Sequence, residues 1–405
     1  MTSDSLTQHA RGSEVAALEA LVRQASKAGE PSWMEAFRRQ HLLKFGEAPL
    51  SYGRYSRMTL DWASLPAAPP HFGQGGAPAA GLEVLGGADG SRRAAPLSKS
   101  LEALGEGEWR AFFPDPGPLE SFVLAGWTEG SLLSWRTGER GGPPAYLRVE
   151  SRGGLILAPL LIQVEEGAEA SLVLHWAGGG DPALLLSALS ARVAPNANLK
   201  LFLLHEGRGT HHHFDLRVEL GANASAELFG AWMGGKWSVG RVHADMPQAG
   251  ATWSESHVVL TSGREHADLD TQVRHLSHHT ASDVRVRTVA DGFSRAVFTG
   301  NILMDVAAEN GQAFLSDHVL LLSPGARADS IPGLEIKAQD VRAAHQASVS
   351  PVDEEQMFYL ESRGLEPRQA RHLIVVGFLE SLYEKACCDV IPEILGPILE
   401  ERVAP

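Results

Sequence analysis

The chain has 405 residues, 44% of them apolar, and 35 basic side chains against 49 acidic ones give a formal net charge of −14. That length allows two or three domains, or one long core with appendages, and the acidic balance excludes a general nucleic-acid binder, which needs basic surplus to displace phosphate counterions. The 2 cysteines, Cys387 and Cys388, are adjacent, which excludes a disulfide framework and a cysteine-rich metal centre and fits free thiols in a reducing compartment.

Read in order, the chain opens with two helices in residues 1–63. Ser13 caps EVAALEALVRQASKA, which stops at Gly29, and Ser32 with Glu35 forms a capping box leading to Gly46. Trp33, Phe37, Leu42 and Phe45 give this second helix a sticky side. No apolar core of signal-peptide length follows Met1, and the longest apolar run, GGLILAPLLIQV, is shorter than the roughly 18 residues of a membrane span. A cytoplasmic protein without membrane contact is expected. Residues 64–96 are rich in Ala, Pro and Gly with no periodicity, which predicts a linker. Residues 97–121 hold a short helix, around Leu97 to Leu104, and a lead-in.

From Phe122 to Val349 short apolar runs alternate with Gly, Asn, Asp and Pro: FVLAG, ASLVLHWAG, NLKLFLLHEG, AELFGAW, HVVLT, DVRVRTV, AVFTGNILM, HVLLL. A weak repeat runs through them. GAEASLVL begins at Gly167, PNANLKLF at Pro195, GANASAEL at Gly221 and PQAGATWS at Pro247, at intervals of 28, 26 and 26 (195−167, 221−195, 247−221). A period in the twenties built of strands without helices predicts a β-solenoid, in which each coil leaves its apolar face open until the next one stacks. A β-sandwich of evenly spaced hairpins is the alternative.

Residues 350–405 read as helical. Ser350 suits an N-cap, Pro351 the first helical position and Asp353 the capping-box spacing, while Gly364 suits a left-handed helix end. Pro367 opens a second helix, where Ile374, Val375, Phe378, Leu379, Leu382 and Tyr383 recur at helical spacing.

Several histidines invite a functional reading. His211 and His213, with Gly207 and Glu219, superficially match a cupin iron site, although the spacing is poor. His275, His278 and His279 read as the face of a coil. His345 stands alone in AAHQASVS among residues too small to cover it. No two carboxylates are placed for glycoside hydrolysis, and no phosphate-binding G-x-x-x-x-G-K-[ST] run occurs. A carbohydrate-active enzyme on the solenoid and a cupin-like metal-dependent enzyme stay open as alternatives.

The stretch DVRAAHQASVSPVDEEQMFYLESRG from Asp340, with the apolar helix after it to Ala386, resembles the C-terminal signature of the SufB/SufD family of iron–sulfur cluster assembly proteins. The resemblance implies a mainly β fold, a right-handed parallel β-helix over 122–349 with helical domains at both ends. It implies a subunit that performs no bond-making chemistry itself. Its partners would be a SufB-type paralogue and a SufC-like ABC-type ATPase, or a second copy of the chain when isolated. His345 would face the paralogue and handle a transient iron or iron–sulfur cluster, with no cofactor tightly held by the chain alone. Arg368, Arg371, Ile374 and Phe378 would dock the ATPase. Ser316–Asp317 stands where SufB-type chains carry a Cys beside an Asp, and no cysteine precedes Cys387, so the likeness is to SufD-type members. Ala343 and Gln346 depart from the Cys and Gly that the family often has on either side of this His.

Overall fold

The computed structural model describes residues 19–20, 22–23, 26, 30–47, 67, 71–72, 83–85 and 93–403, apart from 152, 179–182, 208 and 384–388. Most of the helix expected from Ser13, most of the 64–96 linker and the Cys387–Cys388 pair lie outside the described residues.

The N-terminal part holds α1 (Ser32–Glu47), β1 (His71–Phe72), β2 (Glu83–Val84), β3 (Ala94–Pro96), α2 (Leu97–Phe112) and α3 (Pro118–Gly126). The solenoid begins with β4 (Ser131–Trp135), β5 (Ala145–Ser151), β6 (Gly154–Val164), β7 (Glu169–Gly178), β8 (Ala183–Val193) and β9 (Asn198–Gly207). It continues through β10 (His211–Leu220), β11 (Ser225–Met233), β12 (Trp237–Met246), β13 (Thr252–Thr261) and β14 (His266–His275). It ends with β15 (Ala281–Ala290), β16 (Arg295–Met304), β17 (Gly311–Leu321), β18 (Arg327–Ile336) and β19 (Val341–Pro351). The helices α4 (Glu354–Ser362), α5 (Pro367–Tyr383) and α6 (Ile391–Arg402) follow.

From β5 onward odd-numbered strands form one sheet and even-numbered strands the other, each strand pairing in parallel with the strand two places on. Parallel pairing of this kind excludes a sandwich of hairpins and makes the core a β-solenoid. Asn198 lies beside Ser225 and Ser225 beside Thr252, a coil of 27 residues (225−198, 252−225). The sequence repeat gave 26 for the same coils because its Gly and Pro markers sit one residue further from the strand in each successive turn.

One turn position is fixed by backbone geometry. Gly167, Asn196, Asn223, Gly250, His279 and Asn310 all have positive φ, and each N–H donates to a carbonyl of the next coil at 2.7–3.3 Å. Left-handed backbone favours Gly and Asn, so this column is why the turns read as Gly and Asn in the sequence. His279 therefore belongs to a turn. His275 is buried between the hydroxyls of Thr280 and Ser282, at 2.8 Å each, as a core residue.

The two ends of the solenoid differ. At the first coil β1 and β3 pair antiparallel with β5 and β4, and α1–α3 pack Met34, Phe37, Trp109, Phe122 and Trp127 against the outer side of β6 and β8. The FVLAG run expected as a strand is the end of α3: Pro118 starts that helix and the Glu120 side chain accepts from the Gly117 N–H at 2.7 Å. Five apolar residues in a row fit a buried helix as well as a buried strand. At the far end, among the described residues, β18 and β19 have no further strand beyond them, and β19 is almost wholly exposed.

The C-terminal helices return along the outer face of the odd sheet. Val375, Leu379, Leu382 and Tyr383 of α5 and Ile394, Leu395 and Leu399 of α6 bury with Phe229, Val258 and Leu260. β19 runs through Pro351, so the cap of α4 is Asp353, which accepts from the N–H groups of Glu355 and Gln356; Ser350 and Pro351 belong to the strand. Gly364 takes φ 95° at the turn, as its position predicts. Among the described residues no helix is long and apolar enough to cross a membrane.

Candidate functional site

The open end is built by the period of two in a strand. Ala313 and Leu315 of β17 point into the core, so Asp317 does too; on β19 the same parity turns Ala343, His345 and Ala347 inward. Leu315 is paired with His345, and Asp317 with Ala347. His345 is thus the only inward side chain of that stretch larger than Ala, exposed because no further coil covers it. A shallow cavity of about 350 Å³ lies behind it on the outer face of the sheet, bordered by Arg285, Phe314, Ser316 and Gln346. On the outer face His318 Nδ1 lies 2.6 Å from Ser348 Oγ, and burial with the nearby Arg287 charge lowers the His318 pKa.

Asp317 is the residue that sequence reasoning left aside. It is fully buried, and the Ser330 hydroxyl acts on it from across the lumen. Burial raises its pKa to about 6, against weaker downward pulls from Ser330 and the Arg287 guanidinium. The signal was available as parity: an acidic residue on the inward face of an apolar strand.

Deeper inside, a second polar group is fully satisfied. Glu255 accepts from Trp253 Nε1 at 2.9 Å, Thr271 Oγ1 at 2.7 Å and His257 Nε2 at 2.6 Å. Trp232 Nε1 donates to His257 Nδ1 at 3.1 Å, which fixes the His257 proton on Nε2. A side chain at Gly230, the neighbour of His257 one coil earlier, would strike that imidazole, so the closeness of the network accounts for the glycine.

The other predicted site residues are placed as follows. His213 is buried beside α3, its Nε2 3.2 Å from Asp215, close to the Arg217–Glu120 pair that ties α3 to β10. His211 shares that outer face, near Trp237, while His212 turns into the core against His205, ring centroids 4.6 Å apart. Among the described residues no three His, Cys, Asp or Glu side chains gather as a metal group. Arg368 and Arg371 are exposed and line a cavity of about 540 Å³ with His372 and Arg402. Ile374 and Phe378 are half-buried against the odd sheet, Phe378 under the Arg287 guanidinium at 5.2 Å. The exposed apolar side chains of this hairpin are Phe358, Tyr359 and Leu373.

A family model described as the SufBD core domain of SUF-system FeS cluster assembly matches residues 147–378. The iron-sulfur cluster assembly protein SufD of Escherichia coli is 30% identical over 229 residues, 55% of this chain and 53% of that protein. The chloroplastic protein ABCI7 of Arabidopsis thaliana is 28% identical over 233 residues, 56% of this chain and 48% of its own length. An iron-sulfur cluster assembly SufBD family protein of Mycobacterium bovis is 29% identical over 261 residues, 64% of this chain and 60% of its own. The chain thus spans about half the length of the E. coli and plant relatives. The matched region runs from β5 to α5 and includes His345, and the chain belongs to the SufB/SufD family of iron–sulfur cluster assembly proteins.

Proposed function

We propose that this chain supports iron–sulfur cluster assembly as a SufD-type subunit, docking by its open end onto a cysteine-bearing paralogue. The observation that carries the reading is the unpaired end of the solenoid: β18 and β19 offer free edges, and β19 bears His345 on its inward face. Exposed strand edges invite pairing with another chain, and soluble proteins ordinarily shield them. The opposite end is bordered by short antiparallel strands, so the asymmetry marks one end for a partner. A neutral imidazole is a competent iron ligand, and a cluster shared between two chains is released more easily than one enclosed in either. The thiolates would come from the paralogue, since the cysteines of this chain are confined to Cys387 and Cys388.

The C-terminal helices supply the second contact in this reading. Arg368 and Arg371 stand at the start of α5, and Phe358, Tyr359 and Leu373 expose apolar surface on the same hairpin. An ABC-type ATPase docked there would pass its motion through α5 to the odd sheet that carries β19. The chain itself makes no bonds in this scheme. Iron and cluster are cargo. The test is affinity purification of the tagged chain from its native host: near-stoichiometric recovery of an ABC-type ATPase and a cysteine-bearing paralogue supports the reading. Recovery of the chain alone in gentle salt overturns it.

A further inference from the structure

The C-terminal helices close on the odd sheet along Val375, Leu379 and Leu395, but at one corner the contact opens. There the first turn of α5, the end of α6 and the turns after β13, β15 and β17 enclose a cavity of about 540 Å³, within the size range of a small-molecule site. Its lining is cationic in a chain of formal net charge −14. Arg368, Arg371 and Arg402 bring three guanidinium groups to it, and His372 stands beside them. Among the described residues neither Arg368 nor Arg371 has a carboxylate partner.

Arg402 is the fixed member of the group. Its side chain is 12% exposed, Nη2 donates to the Met233 carbonyl at 3.2 Å, and Nη1 lies 3.4 Å from Glu265. Gly234 leaves room for it, since a Cβ there would strike Nη2. A guanidinium carries five N–H groups, so these two contacts leave others for a ligand. His372 Nδ1 donates to the Val403 carbonyl at 2.8 Å, which leaves Nε2 for another partner. The acids at the cavity are already engaged. Glu265 accepts from the Ser262 N–H at 2.9 Å as well as from Arg402, and Asp291 accepts from the Gly292 N–H at 2.8 Å and from the Ser323 hydroxyl.

We propose that this cavity binds a small phosphorylated ligand, with Arg368, Arg371 and Arg402 holding its phosphoryl oxygens at the amino end of α5. Guanidinium groups match phosphate oxygens through paired parallel bonds, and the unpaired N–H groups and dipole of a first helical turn favour the same charge. A carboxylate has two oxygens to share among three guanidinium groups, whereas a phosphoryl group has three. Leu260, Leu322 and Val403 give the cavity an apolar side, where the body of the ligand would rest. The inference goes beyond the docking scheme: the ligand takes the two arginines that scheme gives to the ATPase, so the two compete for them.

The experiment is calorimetric titration of the full-length chain, without partners and at low salt, with pyrophosphate and with ADP. The parent chain binds about one equivalent, and Arg368→Gln and Arg371→Gln, both changes at exposed positions, each weaken binding about tenfold. Arg363→Gln serves as the control, because that guanidinium lies over the Tyr359 ring at 5.1 Å, on the same hairpin but outside the cavity, and binding is expected to be unchanged. Equal affinity for the two probes shows that the phosphoryl groups alone are held; tighter binding of ADP shows that the apolar side holds the nucleoside, and either supports the proposal. Binding of neither probe overturns it, and so does an equal loss in all three variants, which is the mark of diffuse attraction to basic surface. No ATPase enters the titration, so the outcome is independent of the docking reading, which stands or falls on recovery of the partners.

Discussion

His345 lies one coil beyond Leu315, and the two side chains share the inward face of the odd sheet. Leu315 is 2% exposed, whereas His345 is open to solvent. A single coil separates a closed apolar core from a surface that presents an imidazole. His345→Ala is accordingly expected to leave stability within about 0.5 kcal/mol of the parent chain, as for an exposed site. The same change is expected to lower the cluster content of the purified complex about tenfold. Melting curves and iron and sulfide content check both halves, and an undiminished cluster content would remove the ligand role.

Glu255 holds the proton donors of Trp253, Thr271 and His257 inside the lumen. Glu255→Ala strands all three and is expected to cost about 3–5 kcal/mol. Glu255→Gln keeps an acceptor and should cost less. Urea unfolding followed by tryptophan fluorescence reads the order, since Trp232 and Trp253 border the network.

His205 sets an acid limit. It is buried against His212 and Trp232, and burial, with the charge of Arg402, depresses its pKa to about 3. Above pH 6.5 the ring is neutral in both folded and unfolded chains and contributes no pH dependence. As pH falls from 6.5 toward 3 the unfolded chain takes up a proton that the folded one refuses, so stability drains away across that window, by up to about 5 kcal/mol. His205→Phe keeps an apolar ring in place and is expected to flatten the loss. Unfolding free energies between pH 7 and pH 4 measure the difference.

Asn223 occupies the left-handed column of the turns with φ 54°. Asn223→Ala places a Cβ where such backbone is strained and is expected to cost about 1–2 kcal/mol. Asn223→Gly relieves the strain and should cost less. Thermal unfolding of the pair separates backbone strain from loss of the side chain.

Much of this was legible in the sequence, and the exceptions have physical causes. The solenoid showed because stacked coils need small turn residues at a fixed spacing, and Asn196 and Asn223 recur there. His345 stood out because its inward neighbours are alanines. Apolar runs do not declare their period, so FVLAG in α3 read as a strand. β19 extends through Pro351 because its pairing with β17 continues to Leu321, which moves the α4 cap to Asp353. Ile374 and Phe378 fit the helical stripe that meets the solenoid, and spacing alone does not tell that face from one kept for a partner. Asp317 and Glu255 acquire meaning only once the register shows what each of them faces.

The central claim is that β18 and β19 form the docking face. Hydrogen exchange of the Val341–Pro351 amides, compared between the chain alone and the chain purified with its partners, tests it directly. Fast exchange in the isolated chain is expected for the β19 amides that point away from β17, with protection of about tenfold or more in the complex. Unchanged exchange along β19, with protection appearing only on the outer faces of the sheets, would contradict it.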